Sequence, residues 1–217
     1  MRATLSLVKP LSHLREEQRT LDEISLESFG LSLIRGTVSE IAGPASTGKM
    51  SVAIALLAQL TSVGETCAVV DSVNGFDPLT AKLAGAELSN LLWVKCGGDI
   101  EKSFMAADYL VQAKGFGAIW LNLCSLPMNK LRAVPRTYWF RYRTRIKDTP
   151  TLMLVTSSEF LTGSASQQSF VFERENAKWS GQGNFKLLDL LHTRIVSRKR
   201  YFGPPIETFI KANYTDV

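Results

Sequence analysis

Short apolar runs alternate with stretches of helical periodicity along the first two thirds of the chain. Val38-Ser39-Glu40-Ile41-Ala42 has strand length and leads into a loop that holds two glycines, after which an apolar helix runs from 49 to about 63 and stops at Gly64. Residues 66–71 and 91–95 are further strand-length apolar runs, separated by a helix that Pro78 opens and that extends to about 85. In 100–114 the apolar Phe104, Ala107, Leu110 and Val111 recur at helical spacing, and 118–123 is again a buried type of strand. A basic, aromatic helix over about 136–147 and an apolar run over 152–156 complete the alternation. Strands alternating with helices at this spacing specify βαβ units, hence an α/β fold whose mostly parallel sheet is flanked by helices on both faces.

The pattern changes after residue 169. Residues 170–174, 188–196 and 206–211 read as strands joined by Gly/Ser- and Pro-containing turns, and are expected to extend the sheet as a C-terminal antiparallel edge. A polar, helical lead is expected over 11–20. With no linker or internal repeat, the expected organisation is an N-terminal helical or extended segment over 1–35, then one core domain over 36–217.

Composition adds exclusions. The 217 residues are 45% hydrophobic and 21% charged, which excludes disordered, collagen-like and coiled-coil classes. Cys67, Cys96 and Cys124 are isolated and odd in number, the pattern of buried thiols in a reducing compartment. His13 and His192 lack metal-ligand spacing. The N-terminus lacks a signal-peptide apolar core, and the longest apolar run, 52–58, is far short of the roughly 20 residues that a membrane helix needs. A soluble, cytoplasmic protein is expected. The net charge of +5 is uneven: residues 1–127 carry 10 basic and 13 acidic side chains, residues 128–217 carry 15 and 7. That asymmetry suggests a polyanionic partner for the second part.

The chemistry concentrates in Gly43-Pro44-Ala45-Ser46-Thr47-Gly48-Lys49, which fits GxxxxGK between a strand and a helix. The glycines let backbone N–H groups curl toward a phosphate, the helix start adds its positive dipole end, and Lys49 adds a point charge. The next position, Met50, stands where a Ser or Thr hydroxyl would ligate Mg²⁺, and a thioether is a poor ligand for so hard a cation. Ser51 has a hydroxyl, but about 100° further round the helix. The second metal-holding position, an Asp ending an apolar strand, is Asn122 here. Nucleotide binding without efficient hydrolysis is expected.

Over about 36–127 these features resemble the RecA recombinase family. Gly64-Glu65-Thr66-Cys67-Ala68-Val69-Val70-Asp71, Phe76-Asp77-Pro78 and Asn90-Leu91-Leu92 look like RecA's second core strand and the segment after it. The resemblance implies a RecA-like P-loop core without RecA's C-terminal domain, ATP as ligand at Gly43, Ser46, Thr47, Gly48, Lys49, Met50 and Ser51, and Mg²⁺ held weakly. It implies an adenine contact for Asp77. It also exposes departures: Val73 stands at the position of the glutamate that activates water, Thr80 at that of the stacking tyrosine, and the glutamine nucleotide sensor is missing from Thr156-Ser157-Ser158. RecA's DNA-binding loop is shortened to about 159–167. A RecA core stripped in this way is similar to the ImuA proteins. That likeness implies an accessory role in SOS-induced error-prone translesion synthesis, with a catalytically inactive Y-family polymerase homologue (ImuB-like), RecA and DNA as partners.

Two basic clusters are candidates for DNA or partner binding. Arg136, Arg141, Arg143, Arg145 and Lys147 share a segment with Tyr138, Trp139, Phe140 and Tyr142; Arg194, Arg198, Lys199 and Arg200 form the second. On a helix, Tyr138, Tyr142 and Ile146 would face the sheet, and Arg136, Arg143 and Lys147 would form a separate stripe. Charge with interleaved aromatics suits single-stranded DNA, while a covering helix with its aliphatic stems laid on the surface explains the first cluster equally well. By resemblance the N-terminal segment packs on a neighbouring copy, which would make a homo-oligomer; packing on its own core is the equal alternative. Three functional readings fit these residues: a non-hydrolysing adaptor, a weak DNA-dependent ATPase using Ser51 and Asn122 as metal ligands, and an interaction module with a relic P-loop.

Overall fold

The computed structural model describes residues 22–183, 186–199 and 203–212. The expected helix over 11–20 lies outside them.

An eight-stranded sheet forms the centre, in the order β10-β9-β8-β3-β7-β6-β4-β5. Its parallel strands are β3 (Val38–Ala42), β4 (Cys67–Asp71), β5 (Leu91–Lys95), β6 (Ala118–Asn122), β7 (Leu152–Ser157) and the start of β8 (Gln168–Ser180). β9 (Leu187–Lys199) and β10 (Ile206–Lys211) add the antiparallel edge. Every residue of β3, β4, β6 and β7 is buried, as strands covered on both faces must be. On one face α1 (Lys49–Ser62) packs Leu56 and Leu57 against Ile41, Val69, Trp120 and Leu154. On the other, α3 (Ile100–Ala113) and α5 (Thr137–Ile146) pack Phe104, Trp139 and Tyr142 against Val70, Leu121 and Val155. The short helices α2 (Pro78–Leu83) and α4 (Met128–Arg132) connect strands to these layers. The α/β architecture with its antiparallel C-terminal edge is the one the alternation predicts.

The structure adds three features. Residues inside the expected N-terminal segment form a hairpin, β1 (Glu23–Leu26) with β2 (Leu31–Ile34), whose Ile24, Leu26, Leu31 and Leu33 join the α1-side core. Gln168 stitches it to the sheet: its Oε1 accepts from Ile34 N and Ser39 Oγ (3.0 Å each), and its Nε2 donates to Ser32 O (2.8 Å). Second, β8 and β9 run 13 residues each, longer than their apolar signal. β3 pairs with β8 only as far as Val171, so beyond it β8 continues as a polar ribbon that β9 alone supports. Third, α5 buries Trp139, Tyr142 and Ile146, and Tyr138 is only half-buried. The inward stripe therefore runs i, i+3, i+7 from Trp139, one position round from the expected one.

Candidate nucleotide site and basic surface

β3 delivers the chain into the phosphate loop at the C-terminal edge of the sheet. Gly43 (φ +153°), Ser46 (φ +57°) and Gly48 (φ +84°) alternate with ordinary residues to curl the backbone. Gly43 is also required by space, because a Cβ there would lie 2.3 Å from the Phe172 carbonyl oxygen of β8. No side chain caps α1, so the N–H groups of its first turn are left for an anion. Lys49 is 5% exposed, and its Nζ donates to the carbonyls of Gly43 and, at 2.6 Å, Pro44. Burial lowers its pKa. The C-terminal strands buttress the loop: Thr193 Oγ1 donates to Thr47 O (3.1 Å), and a Cβ on Gly48 would lie 2.3 Å from Ile210 Cδ1. The residues present therefore fit a phosphate.

They do not fit Mg²⁺. Met50 is half-buried and packs against the α1-side core. At the end of β4, buried Asp71 accepts from Gly75 N (3.0 Å), Phe76 N (2.9 Å) and Trp93 Nε1 (3.3 Å), so its carboxylate secures the loop after β4. Asn122, at the end of β6, donates from Nδ2 to Asp71 Oδ1 (3.5 Å), while its Oδ1 accepts from Cys124 N (3.2 Å) and Thr156 Oγ1 (3.3 Å). Thr156 accepts in turn from Trp120 Nε1 (2.9 Å). Phe76 stands edge-on to Trp93 and Trp120, with ring centroids 5.4 and 5.9 Å apart. The strand ends where metal and water chemistry would take place are thus filled by hydrogen bonds and aromatic edges.

The remaining positions are similarly engaged. Val73 packs half-buried against the α3-side core. Asp77 caps α2, accepting from Leu79 N and Thr80 N (3.1 Å each) and from Thr80 Oγ1 (2.5 Å); the Thr80 hydroxyl, then those amides, hold its pKa below the ordinary value.

Comparison with known proteins bears on this geometry directly. Residues 17–124 match the RecA N-terminal domain model. The protein RecA of Acidiphilium cryptum (strain JF-5) is 37% identical over 106 residues, 46% of this chain and 31% of that protein. RecA of Rhodospirillum rubrum is 36% identical over 100 residues (43% and 27%), and RecA of Laribacter hongkongensis 34% over 106 residues (46% and 30%). Over these residues the chain is similar to RecA. It spans about a third of the length of the curated relatives it matches, and the matched part contains the phosphate loop, Asp71 and Asn122.

The basic residues of this chain are placed very differently from one another. Arg141 and Arg145 both reach Asp108 of α3, at 3.0 and 2.6 Å, and the Arg141 guanidinium lies 4.5 Å from the centroid of the Tyr138 ring. Arg143 Nη1 donates to Ser164 O (3.1 Å). Arg136 and Lys147 have no carboxylate partner among the described residues. On β9, Arg194 lies between Glu173, Glu175 and Glu207 at 3.8–4.0 Å, and Arg198 is exposed. Lys199 turns inward to the Gly163 carbonyl and Ser166 Oγ (2.9 Å), and burial lowers its pKa. Arg200 lies outside the described residues.

Sequence reasoning missed Glu40. This buried carboxylate on β3 accepts from Leu161 N (2.6 Å), Thr162 N (3.1 Å) and Thr162 Oγ1 (2.5 Å), fixing the loop after β7; burial raises its pKa. An acid inside a fully buried strand was the available signal. Among the described residues, no helix is long and apolar enough to cross a membrane.

Proposed function

We propose that this chain is a RecA-like adaptor in SOS-induced error-prone translesion synthesis, holding ATP weakly without efficient turnover. In this reading it links DNA or a RecA filament to a catalytically inactive Y-family polymerase homologue. One observation carries the non-hydrolysing part: the phosphate loop keeps its curl and its Lys49, while Asp71 and Asn122 are engaged in the Trp93–Phe76–Trp120 network. Phosphoryl transfer to water needs a cation on the β- and γ-oxygens and a group that orients the attacking water. Met50, Asn122 and Val73 supply neither. Likeness to RecA supports a place in DNA repair or recombination. The translesion role is our reading of the residues at Met50, Val73 and Asn122, a pattern similar to the ImuA proteins.

Steady-state ATP turnover with single-stranded DNA present is expected at background, unchanged by Lys49→Ala. Robust turnover that Lys49→Ala abolishes would overturn the reading. The pathway is tested by affinity capture from DNA-damaged cells, with recovery of a Y-family polymerase homologue as the expected result. The weak-ATPase alternative needs Asn122 as a metal ligand, and the engagement of its carboxamide at both ends disfavours it.

A further inference from the structure

On the sheet face opposite α1, the loop after β7 is held from several directions. Glu40 binds the amides of Leu161 and Thr162, Arg143 binds the Ser164 carbonyl, and Arg132 of α4 pairs with Glu159. Between this fixed loop and the α4–α5 segment lies a cavity of about 320 Å³. Buried Leu131 and Trp139 and half-buried Val134 and Leu161 line it. Phe160, 42% exposed, and the heads of Arg132 and Arg136 complete the lining. Lys130, next in the chain to the buried Leu131, is exposed, and neither it nor Arg136 has a carboxylate partner among the described residues. Trp139 is 2% exposed and lines this cavity with its ring.

We propose that this groove docks an acidic linear segment of a protein partner. One large apolar side chain fills the cavity, and flanking carboxylates meet Arg136 and Lys130. An apolar recess with a charged rim suits an anchor residue. A nucleic-acid strand would instead need flat aromatic platforms along a phosphate track. Here Trp139 is packed by Phe104 and Tyr142, with centroids 5.0 and 6.0 Å away, and Arg141 and Arg145 are already paired with Asp108. The docking site rests on the adaptor reading and gives it a partner-facing surface.

The test is fluorescence anisotropy of the full chain with a labelled Asp-Glu-Asp-Leu-Phe-Asp-Glu-Asp peptide, the same peptide with Ser-Ser replacing Leu-Phe, and a labelled oligo-dT. The first peptide is expected to bind in the micromolar range and the second about tenfold more weakly. Phe160→Ala and Arg136→Glu should each weaken the first by about five- to tenfold, with the thermal midpoint unchanged. Equal binding of the two peptides, no binding, or displacement of the first by oligo-dT at lower concentration would overturn the proposal, the last outcome assigning the groove to nucleic acid. ATP turnover measured on the same preparation separates the two claims. Turnover with intact peptide binding removes the adaptor reading alone, and background turnover without peptide binding removes the docking site alone.

Discussion

The phosphate loop and the strand ends beside it stand at one edge of the sheet and have diverged in opposite ways. The loop from Gly43 to Lys49 retains what a phosphate needs, because that requirement is met by backbone: three positive-φ residues, an uncapped helix start and one lysine. The ends of β4 and β6 need side chains to act, and theirs are engaged elsewhere. Asp71 holds the loop after β4, and Asn122 joins Thr156 and Trp120 in a neutral network. Binding geometry encoded in backbone survives substitutions that remove chemistry encoded in side chains, since the nest is also built into the packing of β8, β9 and β10.

The contrast breaks most sharply at Trp120. Trp120→Ala removes a fully buried indole and the donor to Thr156, and is expected to cost about 3–5 kcal/mol in chemical denaturation. Next is Asp71→Ala, which strands the amides of Gly75 and Phe76 and should cost about 2–3 kcal/mol. Nucleotide affinity, measured under conditions where the variant stays folded, should be unchanged; a selective loss of affinity would mean that Asp71 does face nucleotide. On the other side of the comparison, Lys49→Ala is expected to weaken a fluorescent ATP analogue about tenfold, roughly 1.4 kcal/mol, with little change in stability. Met50→Thr restores a hydroxyl at the metal position, yet turnover should stay at background, because Asn122 and Val73 remain.

The smallest effect concerns Glu40, on the far side of β3. Burial raises its pKa, so as pH falls the folded chain takes up this proton before the unfolded chain does. Its contribution to stability is complete below the ordinary glutamate range and is lost as pH rises through the raised value. Thermal midpoints tracked from about pH 4 to pH 7 should therefore decline less in Glu40→Gln than in the parent chain. An identical pH profile would show that folding leaves the proton affinity of this carboxyl unchanged.

Much of this was legible in the sequence, and for a local reason. Strand length, helical spacing and the glycines at 43 and 48 are set by neighbouring residues, so the parallel sheet and the phosphate loop could be read from their order. The substitutions at Met50, Val73 and Asn122 were visible the same way. The β1–β2 hairpin and the outer halves of β8 and β9 were not, because their pairing rests on Gln168 and on cross-strand partners rather than on a continuous apolar run.

What the sequence determined is which chemical groups the site has and which it lacks. Only the tertiary structure decided where those groups are turned. Asp71 meets Trp93 and Asn122 across 22 and 51 residues of chain, and Arg145 meets Asp108 across 37. A carboxylate or guanidinium is available to a ligand only if no such distant partner reaches it first, and the fold alone sets those distances.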